Sequence, residues 1–177
     1  MMDLFETIRE RQSVRAYQDK EIEAAKLEAI LSAANQAPSA GNLQGYAIVL
    51  VRDKQTMRAL VRAALDQAFI AQAPAVLVFC ADRKRSGAKY GVAGENLYCV
   101  QDATIATAYA QLAATALGLA TCWIGAFDEK RVAELLGLRA ELRPVAVLPL
   151  GWPAETPPRT SRRSLKELVQ EFIPIAP

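Results

Sequence analysis

The 177-residue chain is 52% hydrophobic and 23% charged, enough apolar side chain for a sizeable core and too much for global disorder. Its net charge of +2 is too weak to argue for nucleic acid or an anionic membrane as partner. It contains no histidine, which excludes Ser-His-Asp and Cys-His catalysis, His-ligated zinc and imidazole acid–base chemistry.

The length favours one domain over residues 1–177. The first six residues carry no basic region followed by an apolar run, so no signal peptide is expected. Asp3 can cap a helix, with Glu6 three residues on and Leu4, Phe5 and Ile8 as its apolar side. The stretch Arg11-Gln12-Ser13-Val14-Arg15-Ala16-Tyr17 follows. Read as extended chain, Arg11, Ser13, Arg15 and Tyr17 point one way and Gln12, Val14 and Ala16 the other. Two guanidinium groups and a hydroxyl on one face suit a dianionic phosphate. Taken alone, the stretch reads more simply as a solvated basic loop.

Helical spacing of Leu27, Ile30, Leu31 and Ala34 predicts a helix from Ile22 to Ala37, stopped by Pro38. Residues 38–45 form a polar loop with two glycines. Tyr46 to Arg52 reads as a strand buried on both faces, Lys54 to Asp66 as a helix, and Ala75 to Cys80 as a second buried strand. Asp82 to Gly94, with Arg83, Lys84, Arg85, Gly87, Lys89 and Gly91, reads as a mobile charged loop and the rim of a site. Asn96 to Leu117 is the longest predicted helix, about 33 Å. Its alanines allow close packing on most sides, and Gly118 is its stop. The uncharged run from Ala103 to Phe127 is long enough to span a bilayer. Its Ala, Thr, Gln111 and Gly118 make it only mildly apolar, so it reads as a buried helix running into a strand. Ala120 to Gly125 is a short strand, Asp128 caps a helix ended by Gly137, and Pro144 to Leu150 is another strand. A proline-rich connector leads to a short helix at Ser164–Phe172. The apolar tail Ile173–Pro177 either crosses a partner subunit or folds back on its own surface.

The chemistry is bounded by what is missing. Cys80, Cys99 and Cys122 show no C-x-x-C spacing, so each is expected to be a small core hydrophobe in a reducing cytoplasm. No metal site and no iron–sulfur cluster is expected. The nine glycines form neither G-x-G-x-x-G nor a P-loop. A bound phosphate would therefore be held by side chains, with Arg11, Arg15, Arg159, Arg162 and Arg163 as candidates. The pairs Asp3/Glu6 and Glu21/Glu23 sit at helix starts, where they serve capping. Catalysis remains possible without acid–base residues if a cofactor carries the reaction, and hydride transfer through a flavin fits.

Four stretches in order resemble the motifs of the FMN-dependent nitroreductase family. R-Q-S-V-R-A-Y at 11–17 is similar to R-x-S-x-R/K-x-F/Y, and A-P-S-A-G-N-L-Q at 37–44 to A-P-S-x-x-N-x-Q. G-L-A-T-C-W-I-G at 118–125 is similar to G-L-G-T-x-W-I-G, and R-R-S-L-K-E-L-V at 162–169 to R-K-P-L-E-E-L-V. The chain departs from the family pattern at Gly45-Tyr46, where Pro-Trp is common, and at Ala120. It is also short between Asp66 and Pro74, where a lid would lie.

The resemblance implies an α+β fold with three α-β-α layers. A mixed, mainly antiparallel sheet of four or five strands would lie between helices, with the long helix central and the C-terminal segment extending over a partner subunit. It implies a homodimer with FMN at the interface. Arg11, Gln12, Ser13 and Arg15 would hold the phosphate and the polar edge of the flavin, and Arg162 and Arg163 would reach the phosphate from the C-terminal side. Ile124 and Gly125 would present backbone to the isoalloxazine ring. Pro38, Ser39, Asn42 and Gln44 would come from the second subunit. No side chain is assigned a catalytic role. NADH or NADPH would be the electron donor, and a nitroaromatic, a quinone or a similar small molecule the acceptor. A specialised metabolite as substrate, and a non-catalytic FMN-binding or sensing protein, are the alternatives.

Overall fold

The structure is a computed structural model that describes residues 2–172; the Ile173–Pro177 tail lies outside them. Helices α1 (Leu4–Glu10), α2 (Ala24–Asn35), α3 (Lys54–Ala63), α4 (Arg83–Ala93), α5 (Cys99–Ala116), α6 (Glu129–Leu135) and α7 (Leu165–Leu168) surround four strands. These are β1 (Tyr46–Val51), β2 (Ala75–Asp82), β3 (Ala120–Thr121) and β4 (Leu142–Gly151), in the order β1-β2-β4-β3. Every pairing is antiparallel; the only parallel contact among the described residues is an isolated bridge between Ser13 and Thr121. The class is α+β, as the motifs imply.

Period-two alternation in the two central strands builds the layers. Leu77 and Phe79 of β2 and Ala146, Leu148 and Leu150 of β4 face α2 and α5. Val76, Val78 and Cys80 of β2 and Val147 of β4 face α3 and α6. Ala106, Ala110 and Ala114 recur every fourth residue along α5 and are fully buried, so the helix lies close against the sheet. Asp3, Asp53, Asp82 and Asp128 each accept a hydrogen bond from a backbone N–H in the first turn of the following helix.

Several elements differ from the sequence expectation. β1 is an edge strand, half-buried rather than sandwiched, because only β2 pairs with it. Residues 83–93 are helical. Asp82 caps this helix, and Gly91, at φ +54°, breaks it before a π-helical turn at Gly94–Tyr98 leads into α5. Tyr17 turns into the core with Val14, Ala73 and Ala120 instead of sharing a face with Arg15. Its hydroxyl donates to the Val14 carbonyl at 2.8 Å, and the chain there forms single bridges rather than a ladder. On α1 the residues Leu4, Phe5 and Ile8 are exposed, Phe5 by 72%. No helix among the described residues is long and apolar enough to cross a membrane.

All three cysteines are buried and unpaired. Burial pushes the Cys80 thiol from its ordinary 9.0 up to about 12 and raises Cys99 as well. A buried thiol reacts only when exposed, so native protein at pH 8 should release less than about a tenth of an equivalent per chain with Ellman's reagent. All three thiols should react once denaturant is added. The unfolded chain ionises these groups at lower pH than the folded one, so stability should fall as pH rises above 9.0 toward 12. A pH series of urea melts reads that slope.

Candidate functional site

The first and third motifs meet in space. Val14 donates its N–H to the Thr121 carbonyl at 3.1 Å, and Ser13 pairs with Thr121 in the parallel bridge. The buried Gln111 of α5 donates to the Thr121 hydroxyl at 3.1 Å and fixes it from behind. Burial pushes the Cys122 thiol up; the Arg15 and Arg11 guanidiniums and the Ser13 hydroxyl pull it partly back. The Arg11–Tyr17 segment is thus docked on Thr121 of the third motif. Neither guanidinium has a carboxylate within ion-pair distance among the described residues. Arg15 is exposed, and its backbone N–H donates to Glu155 at 2.5 Å. Gln12 lines a cleft beside them with Thr115, Gly118 and Glu155.

The two members of the Ile124–Gly125 pair are unequal. Ile124 exchanges both backbone hydrogen bonds with Val147 at 3.0 Å, so its amide is committed to the sheet and its side chain to the core. Ile124 thereby anchors the third motif to β4. Gly125 is exposed, and a Cβ built there would meet only Trp123 Nε1 at 3.7 Å. The fold does not require glycine at 125, and its backbone is open.

The second motif is built elsewhere. Asp102 of α5 is 2% exposed, and its carboxylate accepts from Ala40 N at 2.9 Å and Gly45 N at 3.2 Å. Ser39 Oγ accepts from Gln44 N at 2.9 Å, and the Gln44 amide folds back onto Asn42 at 2.5 Å. Gly41, Asn42 and Gln44 all take positive φ, so the loop is sharply wound. Gly45 replaces a larger residue of the family pattern because a Cβ would stand 2.9 Å from Asp102 Oδ2. Pro38 and Ser39 line a cavity of about 630 Å³ against the Gln101–Ile105 turn of α5. Thr115, beside the arginine cluster, is ten residues further along α5 than Ile105, about 15 Å. One chain does not bring the two half-sites together.

Arg162 and Arg163 make local contacts. Arg162 donates to the Thr160 hydroxyl at 3.0 Å, and Arg163 donates to the Glu167 carbonyl at 3.1 Å. Arg159 instead reaches the N-terminal segment, bidentate on Glu10 at 2.5 and 2.6 Å. Asp102 and Glu155 had not been singled out. The signal for Asp102 was an isolated acid heading the long uncharged run; Glu155 carried none.

The fold is an α+β scaffold with an antiparallel sheet between helices. The sequence profile of the nitroreductase family matches residues 8–93 and 62–152. The NADH dehydrogenase of Thermus thermophilus is 34% identical over 90% of this chain and 91% of its own length. The FMN reductase [NAD(P)H] of Bacillus subtilis is 31% identical over 88% of this chain and 68% of its own. The solved structure of NfrA2 from B. megaterium superposes with a TM-score of 0.89 at 32% identity, covering 96% of this chain and 74% of that one. The chain belongs to the nitroreductase family.

Proposed function

We propose that the chain is a single FMN-binding domain that works as a homodimeric NAD(P)H oxidoreductase. The observation that carries this reading is the docking of the Arg11–Tyr17 segment on Thr121, through the Val14 N–H and the Ser13 bridge, with Arg11 and Arg15 free of carboxylate ion pairs among the described residues. Two guanidiniums offset a phosphate of charge near −2, each charge-assisted bond contributing about 1.5–3 kcal/mol. Open backbone at Gly125 suits the edge of a planar ring. The donor set fits FMN.

Bound FMN would supply two-electron chemistry, accepting a hydride from NADH or NADPH at N5 and returning it to an acceptor. The protein's part is to hold and orient. Arg11 and Arg15 bind the phosphate, with Arg162 and Arg163 as further contributors from the C-terminal side. Gln12 and Ser13 fix the polar edge. The Pro38, Ser39, Asn42 and Gln44 loop is supplied by the second subunit. Supporting this division, the two half-sites lie at opposite ends of α5, where a twofold with antiparallel α5 helices brings one chain's loop to the other's arginines. The exposed Phe5 and Ile8 of α1, Leu97 of the π turn, Tyr109 of α5, and Leu168 and Phe172 in the C-terminal segment offer apolar surface for such a partner. Nitroaromatics or quinones serve as acceptors, each turnover consuming NAD(P)H and a proton.

Anaerobic titration tests the proposal. FMN added to purified protein should bind at one per chain, bleach with NAD(P)H, and recolour with a quinone or nitroaromatic. Light scattering should give twice the chain mass. A colourless protein that ignores FMN would refute the reading, and bound FMN that NAD(P)H never bleaches would leave a non-catalytic flavin scaffold.

A further inference from the structure

The cavity beside Pro38 and Ser39 has a second wall that the flavin reading does not use. Tyr90, from the helix that sequence alone gives as a loop, and Tyr98, from the π turn, stand edge to face with centroids 5.2 Å apart at 81°. Ile105 completes an apolar floor. Lys89 stands at the mouth, its ammonium 5.3 Å from the Tyr90 ring centroid. A Cβ at Gly41 would collide with both the Tyr90 hydroxyl and the Lys89 ammonium, so these two side chains rest on bare loop backbone. Lys89 has no carboxylate within ion-pair distance among the described residues. Asp102 lines the cavity, but its carboxylate is taken up by Ala40 and Gly45. Glu95 lies against Gly87 and lines a different cleft.

An open hollow with one aromatic wall, Tyr90 packed on Tyr98, and an exposed, unneutralised ammonium beside it suits one chemical class. We infer that Lys89, Tyr90 and Tyr98 form an acceptor subsite selective for planar aromatic compounds carrying an anionic group. The inference rests on the flavin reading above for its chemistry. The ligand's ring stacks on or edges the tyrosines, and its carboxylate or sulfonate meets the exposed Lys89 ammonium. With a nitro compound the first two-electron step is ArNO2 + NAD(P)H + H⁺ → ArNO + NAD(P)⁺ + H2O. Lys89 takes no part in the bond changes; it is a positioning residue.

The test uses two probes of matched shape, 4-nitrobenzoate and uncharged 4-nitrobenzamide, with the flavin-loaded protein. Wild type should show the lower KM for the benzoate. Lys89→Ala should raise that KM about fivefold to tenfold and leave kcat and the benzamide KM nearly unchanged. Lys89→Arg should retain the preference, and added salt should erode it. Calorimetric binding of both probes reads the same contrast without turnover. Equal values for both probes in wild type, an equal loss for both in Lys89→Ala, or no binding of either would overturn the subsite. FMN content and bleaching by NAD(P)H, measured on the same samples, report separately on the flavin reading.

Discussion

Arg15→Ala should weaken FMN binding by roughly tenfold to a hundredfold, the worth of one charge-assisted contact to a phosphate. Its melting temperature should stay within about 2 °C of wild type, as expected for an exposed side chain outside the core. The Arg15 side chain is exposed and makes no ion pair among the described residues, so truncation removes charge and little packing. The backbone bond from Arg15 to Glu155 and the Val14–Thr121 bond both survive the change. Arg11→Ala should act similarly, and the double variant should lose FMN almost entirely. Fluorescence titration of FMN, with thermal melts of the same samples, separates lost binding from lost fold. Wild-type affinity in Arg15→Ala would remove that residue from the site.

Asp102→Ala should destabilise the protein by about 2–4 kcal/mol, because it strips two loop N–H groups of a buried charged acceptor. The carboxylate sits in α5 and reaches Ala40 and Gly45 at the two ends of the Pro38 loop, so it latches the loop's winding to the longest helix. Asp102→Asn keeps one acceptor oxygen and should lose about half as much. Urea melts measure both. The loop also carries Ser39 and Asn42, so Asp102→Ala should lower FMN affinity as well, unlike a core truncation of similar cost on the α3 side, such as Met57→Ala. Equal stability of Asp102→Ala and wild type would show that the loop winds without the latch.

Much of this was legible in the residues. Asp3 and Asp128 marked their helix starts, unbroken apolar runs marked β2 and β4, and alanines at every fourth position of α5 marked its contact face. The four motifs, through their order, implied the family to which the chain belongs. What escaped were features set by neighbours far along the chain. The strand at 46–51 is as apolar as β2, but only the sheet order shows that it lies at an edge. Gly87 and Gly91 made 83–93 look irregular, yet the Asp82 cap carries the helix as far as the Gly91 break. Tyr17 left the alternation because a carbonyl for its buried hydroxyl lies inward, at Val14. The pairing of Ile124 with Val147 carried no signal in its motif.

The stitching of the Arg11–Tyr17 segment also bears on the order of biosynthesis. Its partners are late in the chain: Trp152 receives the Gln18 N–H, Ala154 donates to Ala16, and Glu155, 140 residues downstream, receives that of Arg15. A nascent chain therefore emerges with this segment untethered until Thr121 is made, and with its last bonds unmade until residues 152–155 follow. A message truncated before residue 152 would yield a polypeptide with most of its core and a segment held at Thr121 alone.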